Sequence, residues 1–169
     1  METGSEPDPA RTRSEPTMRF MLLLKGDPQV DATEGVAADA VAGPLPPTEL
    51  IEGMLKYQED LTKAGVLLAA EGLFDSSQGS RVVYANGRKS VVDGPFAEAK
   101  ELVAGFYILQ VSSKEEAIEW AKRCPVELAV QGTDMEAVVE VRQVAEFDEL
   151  PTGTPEQAQA ELRLREQRS

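Results

Sequence analysis

Apolar residues recur along this chain with two different periods. Met18 to Lys25 is a nearly continuous apolar run centred on Phe20-Met21-Leu22-Leu23-Leu24, the length and type of a strand covered on both faces. Leu50, Met54, Tyr57 and Leu61 then repeat at helical spacing, flanked by Ile51 and Leu55, between a capping Thr48 and Gly65. Val66 to Phe74 reads as a second buried strand, interrupted by Glu71 and Gly72. Ser80 to Ala85 and Arg88 to Val92 flank Asn86-Gly87, the two-residue signal for a type I′ hairpin. Val103 to Val111 is a further strand, rich in aromatic and β-branched residues. Ser113-Lys114-Glu115-Glu116 is a capping box, and Ala117, Trp120, Ala121 and Cys124 share the face of the helix it starts, which ends at Pro125. Val126 to Glu136 reads as loop. Val138 to Ala145 is the last strand, with Val139 and Val141 on one face and Glu140 and Arg142 on the other.

This order, strand, helix, strand, hairpin, strand, helix, strand, predicts an α+β fold. Without the hairpin it is a pair of βαβ units, the ferredoxin-like plan of an antiparallel sheet with two helices on one face. The second sheet face then needs cover, and a second subunit packed sheet to sheet supplies it. The domain is expected over residues 18–147. Residues 1–17 are polar and proline-bearing and read as a disordered tail. Gly26 to Pro47 is Ala-, Gly- and Pro-rich and acidic, a flexible loop or a lid. Residues 148–169 form a polar tail in which Thr154-Pro155-Glu156-Gln157 starts a helix with a thin apolar stripe.

Composition narrows the chemistry. The 169 residues hold 17 basic and 30 acidic side chains, a formal charge of -13 that repels phosphate backbones and anionic membranes. The expected partners therefore include neither nucleic acid nor membrane. No apolar run approaches the roughly 20 residues of a bilayer-spanning helix. With a single cysteine, Cys124, and no signal-peptide pattern, a cytoplasmic address is expected. The chain has no histidine, which removes the commonest metal ligand and the usual general base near neutral pH. Neither a metal nor a cofactor is expected.

The densest cluster of unusual residues is Asp93-Gly94-Pro95-Phe96-Ala97-Glu98-Ala99-Lys100-Glu101, a rigid corner leading into acids around one lysine. With this run the chain resembles the YCII-related family, specifically its DGPF branch, usually written DGPFAETKE; Ala99 stands where Thr is usual. The resemblance extends to Lys63-Ala64-Gly65-Val66-Leu67 with Glu71-Gly72-Leu73, to Glu116-Ala117-Ile118-Glu119-Trp120-Ala121 with Arg123-Cys124-Pro125, and to Glu140-Val141-Arg142. It implies a dimeric α+β barrel with a cleft between sheet and helices or between subunits. Some relatives in the family resemble lyases or dehydrochlorinases that use a His and Asp pair. This chain has no histidine for that role, and it carries Phe74 where many DGPF members place His or Gln.

Each charged candidate has two readings. Asp93 is a turn-maker through its side-chain bond to the backbone, or an acid/base group. Glu71 faces water or an arginine at its strand end, or shares that proton-transfer role. Arg81, Glu98 and Lys100 are a solvated charge cluster, or a clamp that neutralises an anionic or polar metabolite. Arg142 is a structural ion-pair member that calls for a partner such as Glu71 or Asp93, or a ligand contact. Trp120, Cys124, Tyr57 and Tyr107 read as core. Two functions remain open: a pocket near the DGPF turn for binding or cofactor-free acid/base chemistry, and a non-catalytic partner-binding or regulatory homodimer.

Overall fold

Two apolar strands, β1 (Met18–Lys25) and β5 (Val103–Val111), pair antiparallel at the centre of the structure, with Phe20 opposite Leu109 and Leu22 opposite Tyr107. The computed structural model describes residues 17–26, 48–98, 101–151 and 153–167; of the expected disordered tail 1–17 and loop 26–47, residues 1–16 and 27–47 lie outside these. β2 (Leu67–Gly72) adds to the free side of β5 and β6 (Val139–Gln143) to that of β1, giving the order β2-β5-β1-β6 with every neighbouring pair antiparallel. The architecture is therefore α+β, as its periodicity implied. Between β2 and β5 the chain makes β3 (Ser80–Ala85) and β4 (Arg88–Asp93), a hairpin that forms its own two-stranded sheet. Asn86 and Gly87 both take positive φ, 51° and 75°, as a type I′ turn requires.

Because side chains alternate across a strand, the central pair presents two faces. One holds Phe20, Leu22, Tyr107, Leu109 and Val111, all buried. Against it pack α1 (Thr48–Lys63), through Tyr57 and Leu61, and α2 (Lys114–Lys122), through Ala117, with buried Cys124 just beyond its end. Two tyrosines lock these layers together. Their rings meet edge to face at 5.2 Å, and the Tyr57 hydroxyl donates to the Trp120 carbonyl at 2.9 Å, joining the two helices. Burial pushes both phenols up, Tyr107 to about 12, so they stay protonated hydrogen-bond donors.

α2 is capped as expected, with the Ser113 hydroxyl accepting from the Glu116 amide at 3.1 Å. Glu116 in turn accepts from the Ser112 hydroxyl and amide, which holds its carboxyl below the usual range. The expected loop after Pro125 contains a one-turn helix instead, α3 (Glu127–Val130). Its Leu128 lies so close to Gly53 of α1 that a β-carbon there would sit 3.1 Å from it. Tertiary packing makes this turn, and four residues carry no readable period. Among the described residues no helix is long and apolar enough to cross a membrane.

The opposite sheet face carries Met21 and Leu23 from β1 beside Phe106 and Ile108 from β5. These four are only partly buried and take no part in the core cluster. At the rim of this face Arg19 grips Glu146 through two hydrogen bonds of 2.7 and 3.0 Å. Glu146 also meets Arg165 at 2.8 Å, and Arg165 bonds Glu161. This chain of charges ties down α4 (Pro155–Glu166), which starts at a Thr154–Gln157 capping box.

Truncating Leu61, which is fully buried, is expected to cost about 2–5 kcal/mol in urea unfolding, whereas Leu55→Ala should stay within about 0.5 kcal/mol. Equal losses would mean that α1 presents a different face to the sheet. A second prediction concerns acid. The Arg19 hydrogen bonds, with Arg165, hold the Glu146 carboxyl below its ordinary value. Its stabilisation is therefore full above the unfolded pKa of about 4.3 and is lost as pH falls through the lower folded value. The melting-temperature gap between wild type and Glu146→Gln should be widest near neutrality and close in acid; a gap that persists at low pH would show another cause.

Candidate functional site

The corner after β4 is built from two stretches far apart in sequence. Asp75 caps a single 3₁₀ turn, Ser76–Gln78, by accepting from the Ser77 amide at 3.0 Å. The turn closes with the Gly79 amide donating to the Ser76 carbonyl at 3.0 Å, and the Gly94 amide donates to the Gly79 carbonyl at 2.9 Å. On the other side of the corner the Phe96 amide donates to the Ser76 hydroxyl at 2.8 Å. Gly94 is thus pressed onto Ser76. A β-carbon there would lie 1.7 Å from the Ser76 carbonyl oxygen, an approach only glycine permits. The Gly94–Pro95 peptide is cis.

Asp93 is exposed, and its carboxylate accepts from the Ser80 hydroxyl at 2.6 Å, directly across the base of the hairpin. That bond closes the hairpin at the residue pair where its strands meet the corner. Arg81, next along β3, lies with its guanidinium 3.9 Å from the Phe96 ring centroid. It also reaches Glu101 at 2.9 Å and Glu98 at 3.7 Å. The cation is already matched by two carboxylates and an aromatic face. Lys100, the other half of the expected anion clamp, lies outside the described residues.

The remaining candidates fall elsewhere. Glu71 is exposed at the end of β2, opposite Phe106. Arg142 is exposed on β6 and meets Glu140 at 3.4 Å, while Glu140 also faces Lys25 at 3.7 Å. β2 and β6 are the two edges of the sheet, three strand spacings or about 14 Å apart. The expected pairing of Arg142 with Glu71 therefore does not form, and Arg142 finds its acid two residues away on its own strand. Asp93 and Glu71 share no hydrogen bond among the described residues.

An open groove of about 440 Å³ lies between α2, α3 and β6, floored by Ile118, Ala121, Val139 and Val141. Cys124 borders it, but burial, followed by Glu127, pushes the thiol up to about 12, so it stands as a neutral thiol at neutral pH. Among the described residues no group of three or more Cys, Asp or Glu side chains is arranged to hold a metal ion. Sequence alone did not show Ser76 and Ser80 as parts of the corner, nor the Phe96 ring as the surface against which Arg81 lies. The run Asp75-Ser76-Ser77-Gln78-Gly79 has turn chemistry, but nothing local says that it meets Gly94.

Comparison with known proteins places this arrangement. The family model of the YCII-related domain matches residues 18–148. The chain belongs to the YCII-related family. A relative in Rhizobium meliloti (strain 1021), described only as an uncharacterised protein, is 34% identical over 65 residues, covering 38% of this chain and 52% of the relative. The chain thus spans about half the length of the curated relative it matches. That relative's description names no substrate, so the functional reading of this YCII-related chain rests on its geometry.

Gly94→Ala is expected to lower stability by about 1–3 kcal/mol or more in denaturant titration and to remove hydrogen-exchange protection from the Phe96 amide. Asp93→Asn keeps an oxygen that can accept from Ser80 and should cost less than about 1 kcal/mol. If the two substitutions cost the same, the close seating of Gly94 does not set the corner.

Proposed function

We propose that this protein is a non-catalytic homodimeric binding module, in which the acids and cations around Asp93 shape the hairpin corner and perform no proton transfer. The chain is read here as a DGPF-branch member with a ferredoxin-like sheet, closed into an α+β barrel by a second copy. The observation that carries the reading is the second sheet face. Met21, Leu23, Phe106 and Ile108 form a contiguous apolar patch there, rimmed by Lys25, Glu140 and Arg142. An apolar patch with a charged rim has the anatomy of a protein–protein interface. A two-fold arrangement lets the same patch cover itself.

The alternative, cofactor-free acid/base chemistry near the corner, needs an enclosed carboxyl with a raised pKa and an unmatched cation beside it. Asp93 is in water and engaged by Ser80, and Arg81 is engaged by Glu98 and Glu101. These engagements favour the binding reading over the catalytic one.

Light scattering should return twice the 18.3 kDa chain mass at micromolar concentration. Phe106→Asp, which places a charge at the centre of the patch, should give folded monomers. A wild-type monomer, or a Phe106→Asp dimer of unchanged affinity, would overturn the proposal.

A further inference from the structure

The β3–β4 hairpin presents a second surface, exposed among the described residues. Among the described residues its strands form a two-stranded sheet of their own, and such a ribbon alone is marginally stable in water. Cross-strand register puts Val82, Tyr84 and Val91 on one face, and they are 68%, 70% and 67% exposed. Val83 and Val92, on the other face, are exposed as well. Five large apolar side chains on so short a ribbon exceed what solvent-facing strands carry.

The tip adds charge. Arg88 and Lys89 sit directly after the Asn86-Gly87 turn, and among the described residues neither makes an ion pair. They stand in a chain whose formal charge is -13. The base is firm by contrast. The Ser80–Asp93 bond, the Gly94–Gly79 bond and the Arg81–Phe96 stack fix the direction in which the ribbon leaves the domain.

We infer that the β3–β4 hairpin is an arm that docks on a second copy of this chain, burying Val82, Tyr84 and Val91 and setting Arg88 and Lys89 against that copy's acidic surface. The inference rests on the dimer reading above and extends the interface beyond the sheet patch. Charge complementarity selects the occupant. A chain with 30 acids to 17 bases offers a basic, apolar tip an opposite surface on every copy of itself. The apolar face supplies the buried area, and the tip supplies orientation and a dependence on salt.

The test is sedimentation equilibrium on the full chain. Two paired substitutions are compared with wild type: R88E with K89E at the solvated tip, and Y84S with V91S on the apolar face. Each pair should raise the dimer dissociation constant about tenfold or more. The gap in dissociation constant between wild type and the R88E/K89E form should narrow with added salt, which screens both the tip's attraction and the mutual repulsion of the copies. Circular dichroism and retained core amide protection identify folded variants, and the tip pair keeps the test decisive if the apolar pair unfolds. If folded tip variants dimerise as wild type does, with the same salt response, the arm is not in the interface. The dimer reading then still stands or falls on Phe106→Asp. A wild-type chain that remains monomeric overturns both.

Discussion

The antiparallel pairing of β1 with β5 is the constraint on which the other elements depend, because it decides what each face of the sheet has to offer. Phe20 opposite Leu109 and Leu22 opposite Tyr107 make one face, and Met21 opposite Ile108 and Leu23 opposite Phe106 make the other. A slip of one residue would exchange the two sets. Both sets are apolar, so alternation in β1 alone does not select the register. The helices do. The Tyr57 and Tyr107 rings meet edge to face, the Tyr57 hydroxyl reaches the Trp120 carbonyl, and Ala117 leaves room for the sheet beneath α2. Once that layer is filled, the chain has used its described core helices, and the second apolar face is left over.

The corner at Gly94 shows how a cluster of charges can serve geometry. Asp93, Arg81, Glu98 and Glu101 would each suit an active site by residue type. Here each one engages a neighbour: Asp93 holds Ser80, and Arg81 lies between Phe96 and two carboxylates. These contacts are exposed or partly exposed, where single ion pairs contribute little to stability. Their effect is directional. Together with the seat of Gly94 on Ser76 they fix the angle at which the hairpin leaves the sheet.

Much of this was legible in the chain itself. The uninterrupted apolar run of β1, the helical spacing of Leu50, Met54, Tyr57 and Leu61, the Asn86-Gly87 turn and the Ser113 cap are local signals, and local physics placed them correctly. Relations across the fold were not legible. Strand order decides that Glu71 and Arg142 sit on opposite edges, and periodicity contains no strand order. The Ser76 contacts join residues about twenty apart through a turn whose residues look ordinary. α3 exists because Leu128 packs on α1, which no four-residue window reveals.

For the proposed dimer, electrostatics sets what a second copy would have to provide. Bringing together two chains that each carry a formal charge of -13 is opposed by their mutual repulsion, so apolar contact alone has to overcome a long-range penalty. Cations placed at the contact reduce that penalty where it is largest. The described structure puts unpaired cations at the hairpin tip, beside its exposed valines and tyrosine, while Lys25 and Arg142 flank Glu140 at the rim of the open sheet face. Both apolar surfaces thus carry basic residues at their margins, the sheet patch with Glu140 and Glu71 beside them, whereas α1 adds Glu49 and Glu52 to the chain's negative surface and pairs Glu59 with Lys63. This distribution is the one expected if attraction between copies is concentrated at those two surfaces and repulsion elsewhere prevents further aggregation.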